Sequence, residues 1–345
     1  MNRTQQTALA IGAMALGGAM VARGLRASRR LEFRGRSVVI TGGSRGLGLV
    51  MARLLASEGA RLTIAARDQD ELERAQEDLA GYAASAEDIS IARCDVGVRE
   101  DAERLIRDAA ARFGTVDVLI NNAGIIQVGP VEHMTHEDFE RAMNVHFWGP
   151  LHTTLAALPL MRRQRSGRVV NISSIGGKIG VPHLVPYCAS KFALTGLSDA
   201  MRAELLKDGI YVTTVCPGLM RTGSPFNAWF KGNHRAEFAW FVISDSLPVA
   251  TIGARRAAAQ VVDACRYGDA ELVITLPAKL AVVANALMPG TAATVLALAN
   301  QLLPGPDDNA DTTSHSGWQS LSEWAPSKLT TLSDRAAADN NELPQ

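Results

Sequence analysis

The fold is decided by Ser37-Val-Val-Ile-Thr-Gly-Gly-Ser-Arg-Gly-Leu-Gly48, which joins a short apolar run to a glycine-rich turn. After the turn, apolar residues recur at helical spacing from Leu47 to Leu55. Glycines let a backbone approach a pyrophosphate, and free N–H groups at a helix N-terminus favour its charge. The stretch therefore predicts a strand, a phosphate-binding turn and a helix. A turn that binds no ligand is the alternative, because Gly42, Gly46 and Gly48 lack the common Gly-x-Gly-x-x-Gly spacing.

The pattern of a short apolar run followed by a longer helical stretch repeats along the chain. The runs are continuously apolar, as expected of strands that are buried on both faces. Strands that alternate with helices over short connections indicate right-handed crossovers and a parallel sheet. The predicted strands are Ser37–Thr41, Leu62–Ala65, Ile89–Arg93, Val116–Ile120, Arg168–Ile172, Tyr211–Val215 and Leu272–Leu276. We therefore predict an α/β fold with a doubly wound parallel sheet, in a single domain over residues 36–279.

Ligands of such sheets gather beyond the carboxyl ends of the strands. The residues that follow predicted strands at this edge should therefore line the functional site. They are Gly42, Ala66, Asp95, Asn121, Ser174 and Pro217.

The N-terminal region, residues 1–35, contains an uncharged run over residues 8–22 that is followed by an arginine cluster. The run would cover about 22 Å as a helix, which is short for a typical hydrocarbon core. It predicts a membrane anchor or peripheral membrane helix, a soluble helical extension, or a cleaved signal. The arginines favour a cytoplasmic location for the part of the chain that follows the run. We therefore expect the protein at the cytoplasmic face of a membrane, or in the cytoplasm.

The C-terminal region divides into two parts. Residues 280–303 are nearly uncharged, and Pro289-Gly290 is expected to divide them into two short apolar helices. The C-terminal tail, residues 304–345, is rich in Asp, Ser, Thr, Asn and Pro, and this composition predicts disorder.

The composition excludes several classes of function. The 345 residues include 35 basic and 35 acidic side chains, and this balance does not suggest a nucleic-acid partner. The four cysteines are widely spaced, so they predict neither a disulfide framework nor a metal site. We expect buried, reduced thiols, a small-molecule substrate and a homo-oligomer.

The segment Tyr187-Cys-Ala-Ser-Lys191 places a phenol and an ammonium four positions apart, on one face of a predicted helix. A Tyr holds its proton until about pH 10, and a nearby cation lowers that pKa. Ser174, at the end of a strand, is positioned to hold a substrate oxygen that exchanges a proton with Tyr187. This pattern predicts proton transfer by Tyr187, with Ser174 and Lys191 as partners. A surface pair on a helix is the alternative for Tyr187 and Lys191.

The second predicted strand ends at Ala66-Arg67, where an acid would bind the 2′-hydroxyl of NAD. Arg67 and the Arg45 side chain of the glycine turn are suited to a 2′-phosphate, because such charge-assisted contacts are strong. The sequence therefore favours NADP over NAD. Solvated surface charges are the alternative.

Together these motifs resemble those of the classical short-chain dehydrogenase/reductase family over residues 36–276. The Thr-Gly-x-x-x-Gly-x-Gly turn, Asn121-Asn-Ala-Gly124 and Tyr187-x-x-x-Lys191 occur in that family's order and spacing. The resemblance implies a Rossmann-type fold and catalysis by Ser174, Tyr187 and Lys191. It also implies that the cofactor is bound by Gly42, Ser44, Arg45, Gly46, Leu47, Gly48, Arg67, Asp95, Val96, Asn121, Ala123, Gly124, Tyr187, Lys191, Pro217, Gly218 and Thr222. For the Asn121–Gly124 turn, the alternative is a structural role that stabilises the sheet, alone or together with cofactor binding.

One position departs from the family pattern. The family usually has an asparagine 28 residues before the serine, where its backbone supports a water that supplies protons to the lysine. This chain has His146 there, and Asn144 lies two residues earlier. We expect either a tolerated substitution or reduced turnover.

The predicted function is hydride transfer between NADPH and a carbonyl or alcohol carbon. Residues 219–250 hold six aromatic side chains, which indicates a cover for an apolar, lipid-like, steroid or acyl substrate, an oligomer contact, or core packing. A catalytically weak NADP-binding sensor or scaffold at a membrane is the alternative function.

Overall fold

A computed structural model of the chain describes residues 21, 23–247, 251–306, 312–327 and 330–343. Its centre is a seven-stranded sheet whose neighbouring strands all pair in parallel. The strands of the described residues are β1 (Ser37–Thr41), β2 (Arg61–Ala66), β3 (Ile89–Arg93), β4 (Val118–Asn121), β5 (Gln127–Val128), β6 (Gly167–Ile172), β7 (Ile210–Pro217), β8 (Met220–Arg221), β9 (Trp229–Phe230), β10 (Ile252–Gly253), β11 (Glu271–Ile274) and β12 (His315–Ser316). The central sheet has the order β11-β7-β6-β4-β1-β2-β3. The predicted doubly wound α/β fold is confirmed.

Helices cover both faces of this sheet. The helices that follow β1 along the chain are α1 (Gly46–Ser57), α2 (Gln69–Ala80), α3 (Arg99–Phe113), α4 (His136–Met143), α5 (Gly149–Gln164), α6 (Val185–Leu205), α7 (His234–Ser246), α8 (Ala254–Tyr267), α9 (Leu276–Leu287), α10 (Pro289–Asn300) and α11 (Thr331–Asp339). In β1, Val38 and Ile40 point to a cluster with α1, α2 and α8, while Val39 points to a cluster with α3 and α5. Alternate side chains of a strand point to opposite faces, so a strand buried on both faces must be apolar throughout.

The aromatic segment after β7 forms a third hydrophobic cluster. Phe226, Phe230, Phe238 and Phe241 are buried in it, and Phe230 and Phe238 meet edge to face at 5.4 Å. Ala325 and Ala337 of the C-terminal tail are buried in the same cluster, and Tyr187 packs against its edge. Of the predicted roles for these aromatics, the structure therefore favours core packing. The cluster forms a wall beside Tyr187.

The C-terminal tail differs from its prediction. We predicted disorder from its polar composition, but within residues 312–327 and 330–343 the chain forms β12, a 3₁₀ turn and α11. β12 pairs with β9, and Ala337 of α11 is fully buried. The tail is held by a few buried side chains and by many hydrogen bonds. Because these contacts require no periodic pattern of apolar residues, the sequence did not indicate the structure of the tail.

Of the two apolar segments near the ends of the chain, the structure describes mainly the C-terminal one. The run 8–22 lies outside the described residues, apart from Val21. Residues 276–300 form the two helices α9 and α10, which we call the apolar hairpin. Within the described ranges, the structure contains no helix whose length and hydropathy would allow it to span a bilayer.

Candidate functional site

The glycine turn between β1 and α1 has a backbone that side chains would disrupt. Gly42 has φ +64°, and a Cβ added there would lie 2.8 Å from the Ala123 Cα. A Cβ at Gly48 would overlap the Gly42 carbonyl oxygen. Gly46 has φ +56° and begins α1, so its N–H is among those that lack a partner within the helix. The turn fits a dinucleotide, since its glycines bring bare backbone to a helix N-terminus.

The Asn121–Gly124 turn is bonded to the glycine turn. The Thr41 hydroxyl accepts the N–H groups of Asn122 and Ala123, both at 3.1 Å. The Asn122 side chain donates to the Gly42 carbonyl at 2.8 Å. The Asn121 side chain is buried, and it bonds to Asn171 and to two threonines of α5. The turn therefore has a structural role, because its bonds link the glycine turn, β6 and α5.

Ser174, Tyr187 and Lys191 meet at the carboxyl end of β6. The Tyr187 hydroxyl is hydrogen-bonded to Ser174, whose Oγ also accepts the Gly176 N–H at 3.0 Å. The Lys191 Nζ is buried, donates to the Ile172 carbonyl at 2.8 Å, and lies 5.7 Å from the Tyr187 ring centre. The three predicted residues are therefore brought together, and Lys191 is bonded to the last residue of the strand that precedes Ser174.

The pKa values of this triad differ from expectation. Burial raises the pKa of Tyr187 to about 12, although its hydrogen bond with Ser174 acts in the opposite direction. Burial also lowers the pKa of Lys191 to about 7. The predicted lowering of the Tyr187 pKa by Lys191 is therefore wrong here, because removal from water outweighs the neighbouring ammonium. Tyr187 keeps its proton at neutral pH and is suited to donate it.

His146 lies beneath the triad, in a π-helical turn over Asn144–Trp148. Its Nδ1 is 2.7 Å from the Ser190 Oγ, and its Nε2 accepts the Ile125 N–H at 3.1 Å. Burial, and next to it the charge of Lys191, hold the pKa of His146 well below its usual value. The ring is therefore neutral, and both of its nitrogens are occupied by protein groups. It joins α6 to the Asn121–Gly124 turn.

The predicted adenosine end contains a partner that the sequence did not reveal. Glu71 of α2 bonds to Arg45 at 2.7 Å and accepts the Ser44 hydroxyl at 3.0 Å. Arg67 lies exposed after β2. A charged residue inside a helix pattern gives no signal of the turn that it faces, so Glu71 could not be identified beforehand. The Asp95 side chain accepts the Gly97 N–H at 2.9 Å.

The predicted nicotinamide end is bordered by residues that follow β7. Pro217 ends that strand, and a Cβ at Gly218 would lie 2.7 Å from the Thr275 hydroxyl. Thr222 is buried, and its carbonyl accepts the Asn340 side chain at 3.4 Å. Val96 and Leu47 are also buried, whereas Ala123 is partly exposed and Gly124 is exposed. The predicted residues therefore follow one edge of the sheet, from α2 to the apolar hairpin.

Comparisons with known proteins agree with this arrangement. A family model described as short chain dehydrogenase matches residues 36–228. An uncharacterised oxidoreductase of Mycobacterium bovis is 38% identical over 188 residues, which cover 54% of this chain and 74% of that protein. The granaticin polyketide synthase putative ketoacyl reductase 1 of Streptomyces violaceoruber is 37% identical over 186 residues, which cover 53% of this chain and 67% of that protein.

A solved structure agrees as well. The crystal structure of a short-chain type dehydrogenase/reductase from Mycobacterium marinum aligns with a TM-score of 0.61 and 25% identity, over 70% of this chain and 94% of that one. The match to the family model includes the glycine turn and the Ser174, Tyr187 and Lys191 triad, and it spans more than half of the chain. The chain therefore belongs to the short-chain dehydrogenase/reductase family and is an NAD(P)-dependent oxidoreductase.

Proposed function

We propose that the protein transfers hydride between NADPH and the carbonyl carbon of an apolar substrate. The observation that supports this most is the contact of Tyr187 with Ser174, beside a buried Lys191, at the edge where the glycine turn lies. A bound nicotinamide would supply the hydride, and the protein would supply positioning and a proton. The NADPH oxidation assay with ketones and aldehydes tests this proposal.

In this proposal each side chain acts on the substrate oxygen or its neighbours. The Tyr187 hydroxyl donates its proton to the oxygen as negative charge develops there. The Ser174 hydroxyl donates a hydrogen bond to the same oxygen. The Lys191 ammonium favours the phenolate that remains, because an opposite charge stabilises it.

The preference for NADP is carried by Arg67. Its exposed guanidinium follows β2, at the place where an acid would select NAD. Arg45 contributes less than its sequence position suggested, because Glu71 already neutralises part of its charge.

Replacing Arg67 by Ser should lower kcat/KM for NADPH about tenfold and leave kcat/KM for NADH nearly unchanged. A charge-assisted bond contributes about 1.5–3 kcal/mol, and 1.4 kcal/mol is a factor of ten. Arg61→Ser, at the opposite end of the same strand, is the matched control. Equal losses with both cofactors would remove the argument, as would a wild-type preference for NADH.

We further propose that the apolar hairpin inserts into one leaflet of a lipid bilayer. Residues 276–303 contain a single charge, Lys279, and only Ala278 is buried in the two helices. Most side chains of the two helices are exposed, which suits a bilayer better than a second protein that would cover one side. Each helix is about 18 Å long, which is near the thickness of one leaflet.

The position of the hairpin supports an apolar substrate. Ala278 packs near Gly218, and the Asn285 side chain donates to the Lys178 carbonyl at 3.3 Å. Lys178 follows Ser174 beyond β6, and Gly218 follows the neighbouring strand β7, so a substrate leaving the bilayer would have a short path to Tyr187. The similarity to a protein named as a putative ketoacyl reductase also suits an acyl carbonyl. A homo-oligomer stays a prediction.

The hairpin proposal predicts that the protein floats with neutral phosphatidylcholine vesicles in a density gradient. The double change Val283→Asp and Leu287→Asp should abolish flotation, since a charge in the hydrocarbon costs about 2.5–3.5 kcal/mol. Leu155→Asp with Leu206→Asp, which are exposed elsewhere, is the control pair. Failure of the wild type to float would contradict insertion. A dimer that the hairpin variant dissociates would identify a second copy as the occupant instead.

A further inference from the structure

The last described residues of the C-terminal tail lie on the glycine turn. The Gly46 N–H donates to the Asn340 carbonyl at 2.9 Å, and the Asn341 side chain donates to the Ser44 carbonyl at 2.9 Å. A Cβ added at Gly46 would lie 2.5 Å from a carboxylate oxygen of Glu342. The tail therefore fills the space that this glycine leaves for an approaching pyrophosphate.

Glu342 is held there as a buried acidic group. Its side chain is 5% exposed, and it accepts the Asn227 side chain at 2.6 Å. The Arg45 guanidinium lies 3.5 Å away. The helix N-terminus and the Arg45 guanidinium are groups that favour a phosphate. Glu342 thus occupies the position beside both groups where the turn is expected to bind its ligand.

The rest of the tail helix holds this contact in place. A Cβ at Gly223 would lie 2.5 Å from the Ala337 Cα, so α11 packs directly on the loop after β8. The Arg53 side chain donates to the Asp339 carbonyl at 3.1 Å, and the Ser333 hydroxyl lies 2.8 Å from that of Ser246. These contacts fix α11 from several elements, so Asn340–Glu342 form a docked segment.

We propose that the C-terminal tail is an autoinhibitory segment whose Glu342 occupies the pyrophosphate position, so that NADP(H) binds only after Asn340–Glu342 leave the glycine turn. The inference rests on the proposed function, because it assigns a regulator to the same nucleotide site. The two occupants exclude each other, since both need the Gly46 N–H and the space above that residue. The apparent affinity for the nucleotide is therefore reduced by the fraction of molecules with a docked tail.

Docking should weaken as the pH rises. Burial raises the pKa of Glu342 to about 7, with Arg45 acting against this shift and Glu71 adding to it. A carboxyl whose pKa is higher when docked binds more protons in that state, so docking is strongest below about pH 4.5 and is weakened as the pH rises to about 7. Arg45 and Glu71 are the charged groups that face Glu342.

Two neighbouring alanines of α11 provide the experiment. Ala337 is buried against Gly223, whereas Ala338 is exposed. Ala337→Asp should release the tail and lower the Kd for NADPH, measured by its fluorescence at about pH 7, about fivefold or more. Ala338→Asp should leave the Kd unchanged. The ratio of the wild-type Kd to that of Ala337→Asp should fall as the pH is raised from about 5 to about 8.

A second pair of variants tests the contact itself. Glu342→Ala should lower the NADPH Kd in the same direction, while Glu323→Ala, an exposed acid of the same tail, should not. Hydrogen exchange gives a readout that is independent of turnover. Saturating NADPH should increase deuterium uptake over residues 330–342 of the wild-type chain.

The outcomes separate the two proposals. If NADPH protects residues 330–342 from exchange, the tail closes over the nucleotide and the autoinhibitory role is overturned. Measurable NADPH binding with the same Kd in wild type, Ala337→Asp and Glu342→Ala would also overturn it, while the proposed function would stand. No NADPH binding to any of these proteins would overturn the proposed function, and this inference with it.

Discussion

Replacing Tyr187 by Phe should lower carbonyl reduction about a thousandfold and leave NADPH binding almost unchanged. The change removes one oxygen, so the ring still packs against the third cluster and faces His146 at 5.4 Å. It also removes the proton donor, and a positioned general acid contributes about 10²–10⁴ in rate. The measurement is single-turnover oxidation of NADPH with a ketone that the wild type reduces, beside the NADPH Kd.

The control for this change is Tyr82→Phe, because that ring is exposed and distant in sequence from the triad. It should retain wild-type turnover. If Tyr187→Phe retains more than about a tenth of wild-type turnover, proton donation by Tyr187 is wrong. If it loses NADPH binding as well, the side chain has a structural role that the proposal does not include.

Replacing Gly48 by Ala should destabilise the fold and weaken NADPH binding more than tenfold. The added Cβ would overlap the Gly42 carbonyl oxygen and lie 2.6 Å from the Asn122 side chain. Neither group can withdraw easily, because Asn122 is itself bonded to Gly42 at 2.8 Å. Overpacking of this kind costs about 1–3 kcal/mol. The measurements are the free energy of unfolding in urea and the NADPH Kd.

Gly196 provides the matched control for that change. It lies inside α6, it is exposed, and a Cβ added there would meet nothing within 4 Å. Gly196→Ala should therefore stabilise the protein by about 0.5–1 kcal/mol, because glycine is a poor helix former. Equal stability changes at the two glycines would show that backbone propensity, not the tight contact, governs Gly48.

The sheet could be predicted because its strands are apolar on both faces, and their predicted bounds lie close to the observed ones. Leu62–Ala65 became Arg61–Ala66, for example. Strands of two residues, such as β9 and β12, could not be predicted, because two residues have no period. The tail could not be predicted either. It is fixed by Ala337 against Gly223 and by polar side chains, and that fit depends on a surface that only the folded chain provides.

The triad could be predicted from spacing, but its electrostatics could not. Four positions along a helix bring Tyr187 and Lys191 to one face, whatever surrounds them. Their pKa values depend on burial, which comes from the aromatic cluster and from the strand ends. The same holds for His146, since its lowered pKa follows first from burial and then from the charge of Lys191.

The third hydrophobic cluster has a thermodynamic consequence. It packs on one side against Tyr187 and on the other encloses Ala337 of the tail, so one wall borders both the reacting centre and the segment over the glycine turn. A binding event that rearranges the side chains at one end of this cluster changes the packing energy at its other end. Any such coupling must be reciprocal. If the substrate prefers one packing of this cluster and thereby changes the affinity for the nucleotide, the nucleotide changes the affinity for the substrate by the same factor.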